Sequence, residues 1–293
     1  MPSLESIAGV VDVHVVGAGS TADLVIEIPH GATETVDFTR LERQLTSPLP
    51  EALVDFFHVN TDAGAPELAV GIAERLVSED PALTVAILRC RVPRTFIDCN
   101  RRMDASPADF KAGKVTPGLM PWITTDADRE LLRGAYERYQ TAVRTALSPD
   151  SAILMLHTYA PRTVDVEVDA DIVKNLRRAY LPEVEPTWPL RPEVDVISRA
   201  LDGTNYAPAA VVETLRTALG EQGITVADGL TYPLHPSTVA WDHVVARRGR
   251  ALCVEVRRDL VADPFEPFAQ MNISAAKVSR LAGPFVSALR RWW

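Results

Sequence analysis

Two short stretches near the start of the chain, DVHVVG (12–17) and DLVIEIPH (23–30), set β-branched residues in alternating or unbroken apolar order, which predicts two strands. FTRLERQLTSPLPEALVDFF (38–57) reads as helical in its first half and is then broken by prolines. In TDAGAPELAVGIAERLV (61–77), Leu68, Ile72 and Leu76 space one buried helical face, with Thr61 or Asp62 at the capping position. ALTVAILRCRV (82–92) lacks polar alternation and predicts a central strand covered on both faces. TFIDCNRR (95–102) continues extended, and MDASPADFKAGKVTPGLMPW (103–122) has the glycine and proline content of a long loop. DADRELLRGAYERYQTAVRTAL (126–147) is an amphipathic helix with an acidic first turn, and SAILMLHTYAP (151–161) is a second buried strand.

Residues 163–205 read as a proline-rich excursion around a short helix at ADIVKNLRRAY. A helix at 208–223, strands at 224–232 and 251–261, and a closing helix over 267–293 complete the pattern. There is no internal repeat and no break between two cores. Strand–helix alternation predicts a three-layer α/β/α fold with a mixed, mostly parallel sheet, in a single domain spanning 1–293.

The 47% hydrophobic content of the 293 residues is enough for a sizeable core. A net charge of −9 argues against nucleic-acid binding, which depends on a cationic surface. Cys90, Cys99 and Cys253 sit in apolar runs without metal-knuckle or disulfide spacing, so buried free thiols in a reducing cytosol are expected. The N-terminus shows no leader and no run suggests a membrane span, so a cytoplasmic protein is expected. GAGST (17–21) lacks the lysine of a phosphate loop and reads as a turn. The terminal ALRRWW packs on the domain or on a second subunit, and the oligomeric state stays open.

Sites in open α/β sheets form outside the carboxyl ends of strands. Four such ends carry polar cargo: His30, Asp62, the group Arg94, Asn100 and Arg101, and His157. Two imidazoles and one carboxylate give a zinc site three protein ligands and leave the fourth position for water. Asp62 or Glu34, four residues after His30, supplies the carboxylate. His58 and Asp62 form a candidate supporting pair. Glu255 interrupts an apolar strand and shares a face with Cys253. A buried carboxylate there needs either a job, as general base, or a salt bridge to Arg257 or Arg258.

Five stretches together resemble the N-formylglutamate amidohydrolase family: IPHG, TDAGAPELA, VPRTFIDCNR, LHTY and CVEVRRDL, in the family's order. The family is similar to zinc-dependent exopeptidases and acylases. The resemblance implies a zinc hydrolase that cuts the N-formyl or N-acyl amide of a small anionic amino-acid derivative. It assigns His30, Asp62 and His157 to the metal, Arg94 to the oxyanion, Asn100 and Arg101 to the substrate carboxylate, and Glu255 to general base. This chain departs from the family in PHGATE, where PHSG is usual, in HTY, and in Gln140, which stands where the family has a histidine. A relative that keeps the pocket but only binds its ligand is the alternative.

Overall fold

The apolar runs pair into one sheet. Its strands are β1 (Val11–Val16), β2 (Leu24–Ile28), β3 (Val85–Cys90), β4 (Ala152–Tyr159), β5 (Val194–Val196), β6 (Val226–Asp228) and β7 (Ala251–Arg257). They lie in the order β1-β3-β2-β4-β7-β5-β6. β1 runs antiparallel to β3 and β5 antiparallel to β7, while β3, β2, β4 and β7 are mutually parallel. The sheet is therefore mixed and mostly parallel, as the pattern predicts. This computed structural model describes residues 4–293, so the first three residues of the segment expected to lack a leader lie outside it.

The nine helices among the described residues are α1 (Thr35–Glu42), α2 (Leu53–Asn60), α3 (Ala65–Glu79), α4 (Pro107–Ala112), α5 (Asp126–Ala146), α6 (Ile172–Ala179), α7 (Ala209–Gly220), α8 (Val239–Ala246) and α9 (Ala275–Leu289). Side-chain alternation sorts them into layers. Leu24, Ile26, Leu154, Leu156, Val254 and Val256 pack with α3, α7 and α9 on one face. Val25, Ile153, Met155 and Cys253 point the other way, toward α1, α2, α5, α6 and α8. His157 and Glu255 follow the second set by the two-residue period of a strand. Trp292 packs against the α3–α7–α9 layer, while Trp293 is exposed. No helix among the described residues is long and apolar enough to cross a membrane.

Several elements differ from expectation. The prolines at 48 and 50 lie in an irregular break after α1, as expected, but a second helix, α2, starts just after them, and Leu53, Phe56 and Phe57 bury one of its faces. Inside the expected loop, α4 carries Pro107 in its first turn and a capping box between Ser106 and Asp109. The stretch 95–102 is not extended: Phe96 N donates to Pro93 O and Arg101 N to Asp98 O, which folds it into consecutive turns. α8 and β5 appear where no element was expected, and α9 starts at Ala275, not 267.

The long helix α5 is anchored at its start. The Asp128 carboxylate accepts from Thr46 N, Thr46 Oγ1 and Ser47 N at 2.7–3.1 Å, tying the α1–α2 connection to α5. Burial alone would raise its pKa, but the Ser47 and Thr46 hydrogen bonds outweigh that and lower it to about 2. A lowered carboxyl pKa adds stability that is present above the ordinary aspartate range and is lost as pH falls toward 2. Asp128→Ala is expected to destabilise by about 1–3 kcal/mol at neutral pH, because it leaves the buried Ser47 N–H unpaired and removes the Thr46 hydrogen bonds. In urea titrations at decreasing pH, the gap between the two proteins should close only in the acid range. An equal gap at pH 7 and pH 2 would exclude this role.

Candidate active site

The parallel strands β2, β4 and β7 present their carboxyl ends together. His30 follows β2 by two residues, and in the β4–β7 pairing His157 lies directly opposite Glu255. Asp62 enters from the short connection between α2 and α3. It does not cap α3; the cap is Gly64, in the left-handed region at φ +89°. A Cβ at Gly64 would come within 2.4 Å of Val261, so glycine is required on two counts. That turn frees the Asp62 side chain to point at the histidines.

Three donor atoms converge. Asp62 Oδ2 lies 2.9 Å from His157 Nδ1 and 3.2 Å from His30 Nδ1, and the two ring nitrogens are 3.2 Å apart. All three residues are buried. His30 Nε2 stands 2.7 Å from Asp98 Oδ1. A carboxylate only accepts, so Nε2 carries the proton and Nδ1 faces the cluster with a lone pair. Two imidazole nitrogens and a carboxylate oxygen aimed at one point are donors short of a cation. In a tetrahedral site with bonds of about 2.0–2.1 Å, neighbouring donors stand about 3.3–3.4 Å apart, close to the spacing here. The residues present therefore fit a single divalent ion. Burial raises the Asp62 pKa, but the two histidines outweigh this and hold it well below the usual range.

Glu34, the rival carboxylate, turns away. It precedes α1 and accepts from Arg89 at 2.9 Å and from Arg91 at 3.4 Å. His58 does not pair with Asp62; its Nε2 lies 3.4 Å from Thr35 Oγ1.

The turns at 94–101 gather the next group around Asp98, which is fully buried. Arg94 donates to Asp98 Oδ2 at 2.9 Å, and Arg101 stands 3.3 Å from the same oxygen. Asn100 N donates to Oδ1 at 2.8 Å. Burial works to raise the Asp98 pKa, yet Arg101, His30 and Arg94 together hold it well below the ordinary range. Arg101 also donates to Thr116 O and Asn100 O. Asn100 Oδ1 accepts from Ala240 N, which leaves Nδ2 3.5 Å from His157 Nε2. Gln140, at the family's histidine position, donates to Cys99 O at 2.7 Å and so steadies this same turn from α5.

Glu255 takes neither expected salt bridge. Arg257 pairs with Asp259 at 2.7 Å, and Arg258 donates to the carbonyls of Val59 and Thr158. Glu255 Oε2 is buried without a hydrogen-bond partner, and burial is the main cause of its raised pKa. It lines a cavity of about 120 Å3 together with His30, His157, Arg94, Asn100 and Arg101. Every site residue that the sequence predicts except Asp62 thus faces one small space, and Asp62 stands directly behind the two histidines.

A profile of the N-formylglutamate amidohydrolase family matches residues 22–262, a span that holds all of these side chains. The chain belongs to the N-formylglutamate amidohydrolase family. Like its family, this amidohydrolase acts on linear amide C–N bonds. The crystal structure of N-formylglutamate amidohydrolase from Ralstonia eutropha JMP134 shares its fold, with a TM-score of 0.62, 18% identity and 97% of each chain covered. Gene product Atu2144 from Agrobacterium tumefaciens gives a TM-score of 0.47 at 16% identity, over 96% of this chain and 94% of that one. A bacteriophage poly-gamma-glutamate hydrolase gives 0.43 at 10% identity, over 98% and 92%. No curated protein sequence matches the chain.

Asp98 is the residue of this amidohydrolase to which sequence reasoning gave no role. It stood inside VPRTFIDCNR, four residues after one arginine and three before another. Acid–arginine spacing of that kind was the available signal. It went unused because an extended chain would have pointed the three side chains apart.

Proposed function

We propose that this amidohydrolase is zinc-dependent and cleaves the N-formyl or N-acyl amide of a small, carboxylate-bearing amino-acid derivative. The observation that supports this reading is the convergence of His30 Nδ1, His157 Nδ1 and Asp62 Oδ2 beside the unpartnered oxygen of Glu255. Two imidazoles and one carboxylate are a common donor set for catalytic zinc. A divalent ion held there supplies Lewis acidity and a water acidic enough to react near neutral pH.

The chain's own residues supply the rest. Glu255 takes a proton from the attacking water as general base and returns it to the leaving nitrogen. A C–O bond forms at the acyl carbon as the C–N bond breaks, giving a carboxylic acid and a free amine. Arg94 lines the cavity and offers its guanidinium to the developing oxyanion. Asn100 and Arg101 line the cavity too and offer donors to the substrate carboxylate. Holding that carboxylate fixes the amide against Glu255, which converts binding into rate.

Metal content and hydrolysis of a panel of N-formyl and N-acetyl amino acids test the reading together. About one equivalent of zinc per chain is expected, with turnover of the acidic members that a chelator abolishes. Full turnover after complete metal removal would overturn zinc dependence. Asp98→Asn tests the support of His30: the amide puts a donor NH2 where one of the two acceptor oxygens stood, so zinc affinity should fall about tenfold to a hundredfold. Competition against a chromophoric chelator measures this, and unchanged affinity would remove Asp98 from the support of the site.

A further inference from the structure

The small cavity opens past Arg94, Lys114, Tyr232 and Glu255 into a second chamber of about 800 Å3. That volume suits a ligand far larger than a formyl group. Its lining is unusual for a protein with a net charge of −9. Arg94, Lys111, Lys114, Arg162, Arg191 and Arg258 face it, against only Asp165, Glu167 and Glu255.

Two of these arginines stand out. Arg258 is 2% exposed, donates only to the carbonyls of Val59 and Thr158, and has a buried Nε without a partner. Arg191 lies over the Tyr159 ring at 5.0 Å and the Tyr232 ring at 5.8 Å, and donates to the Tyr232 hydroxyl at 3.0 Å. Neither forms an ion pair among the described residues. Burial is the main cause that lowers the Arg258 pKa to about 10, and Arg191 pushes in the same direction. Asp62 and Glu255 offset this in part, but neither carboxylate makes an ion pair with Arg191 or Arg258, and two cations left so, one of them fully buried, are costly unless an anion arrives.

We propose that this chamber is an acyl-side subsite, shaped for an acyl group that is longer than formyl and ends in a carboxylate held by Arg191 and Arg258. The inference rests on the hydrolase reading for its orientation. Asn100 and Arg101 occupy the small cavity and Arg94 and Glu255 stand at the junction, so the amino acid lies inside and the acyl chain runs outward. Tyr159 and Tyr180 give the acyl methylenes an apolar wall. Hydrolysis then releases a dicarboxylic acid and a free amino acid.

Three derivatives of one amino acid, N-glutaryl, N-pentanoyl and N-acetyl glutamate, test the subsite. Glutaryl and pentanoyl have the same chain length and differ in the terminal charge. The zinc-loaded protein should favour glutaryl over pentanoyl by about tenfold or more in kcat/KM, the worth of one charge-assisted hydrogen bond. In Arg258→Met that ratio should collapse toward one. Arg191→Gln should lower the same ratio and carries the test if Arg258→Met does not fold. Acetyl and pentanoyl cleaved as well as glutaryl by the unmodified protein would overturn the subsite and leave the hydrolase reading standing. Calorimetry with free glutarate and pentanoate separates the two ideas independently. Both acids bring one carboxylate to the metal, and only glutarate brings a second to the arginines. Glutarate binding that is tighter than pentanoate and lost in the arginine variants, without turnover of any amide, would keep the subsite and sink the hydrolase. Equal binding of both acids would overturn the subsite.

Discussion

The His157→Ala protein is expected to bind zinc at least about a hundredfold more weakly than the unaltered chain, since loss of a mere supporting residue already costs tenfold to a hundredfold. His157 Nδ1 is one of three converging donors, 2.9 Å from Asp62 and 3.2 Å from His30. With it gone, two donors remain, too few to hold a divalent ion against water and buffer. The substitution also leaves the Asp62 carboxylate buried with one imidazole partner instead of two, so a modest loss of thermal stability should accompany it. His30→Ala should behave alike. His58→Ala is the control: that histidine is buried in the last turn of α2 but faces Thr35, and its variant should retain full metal. Equilibrium dialysis with metal analysis decides the matter. Stoichiometric zinc in both ligand variants would show that the ion, if bound, sits elsewhere.

Glu255→Gln should keep its zinc and lose about two to four orders of magnitude in kcat, the usual contribution of a positioned general base. The isosteric amide fills the same space and cannot take a proton. KM should change little, because the side chain meets the reacting water and not the substrate carboxylate. Burial raises the pKa of Glu255, which makes its carboxylate a stronger base than an exposed glutamate. Since no arginine forms an ion pair with it, the loss on substitution cannot be blamed on a broken salt bridge. Metal content and steady-state kinetics on one preparation suffice. An unchanged kcat would exclude Glu255 as the base.

Much of this was legible in the chain. The strand-end histidines and the glutamate in an apolar run were visible because strands here are covered on both faces, where a polar residue stands out. What the sequence could not decide were choices made by turns. Asp62 looked like a helix cap until Gly64 took that place, and Glu34 looked like a ligand until Arg89 and Arg91 claimed it. Asp98 was hidden because its role depends on the chain coiling over 94–101, which an apolar run into TFIDCNRR does not signal. α2 was missed by giving prolines 48 and 50 more weight than the Leu53, Phe56, Phe57 spacing that follows them. The outer chamber was invisible altogether, since Arg191 and Arg258 lie far apart in sequence and meet only through the excursion at 160–192.

His157 and Glu255 are direct neighbours across the β4–β7 ladder. The gap between the proposed ligand and the proposed base is thus set by the spacing of neighbouring parallel strands, about 4.8 Å, and not by any loop. The chain between residues 160 and 192, which includes α6, supplies one broad wall of the outer chamber. That wall is carried by a different part of the chain from the strand ends that bear His157 and Glu255, although Glu255 and Arg258 line the chamber too. Grafting a different excursion should retune which amides are accepted while leaving the cutting machinery intact, a modular arrangement that invites engineering.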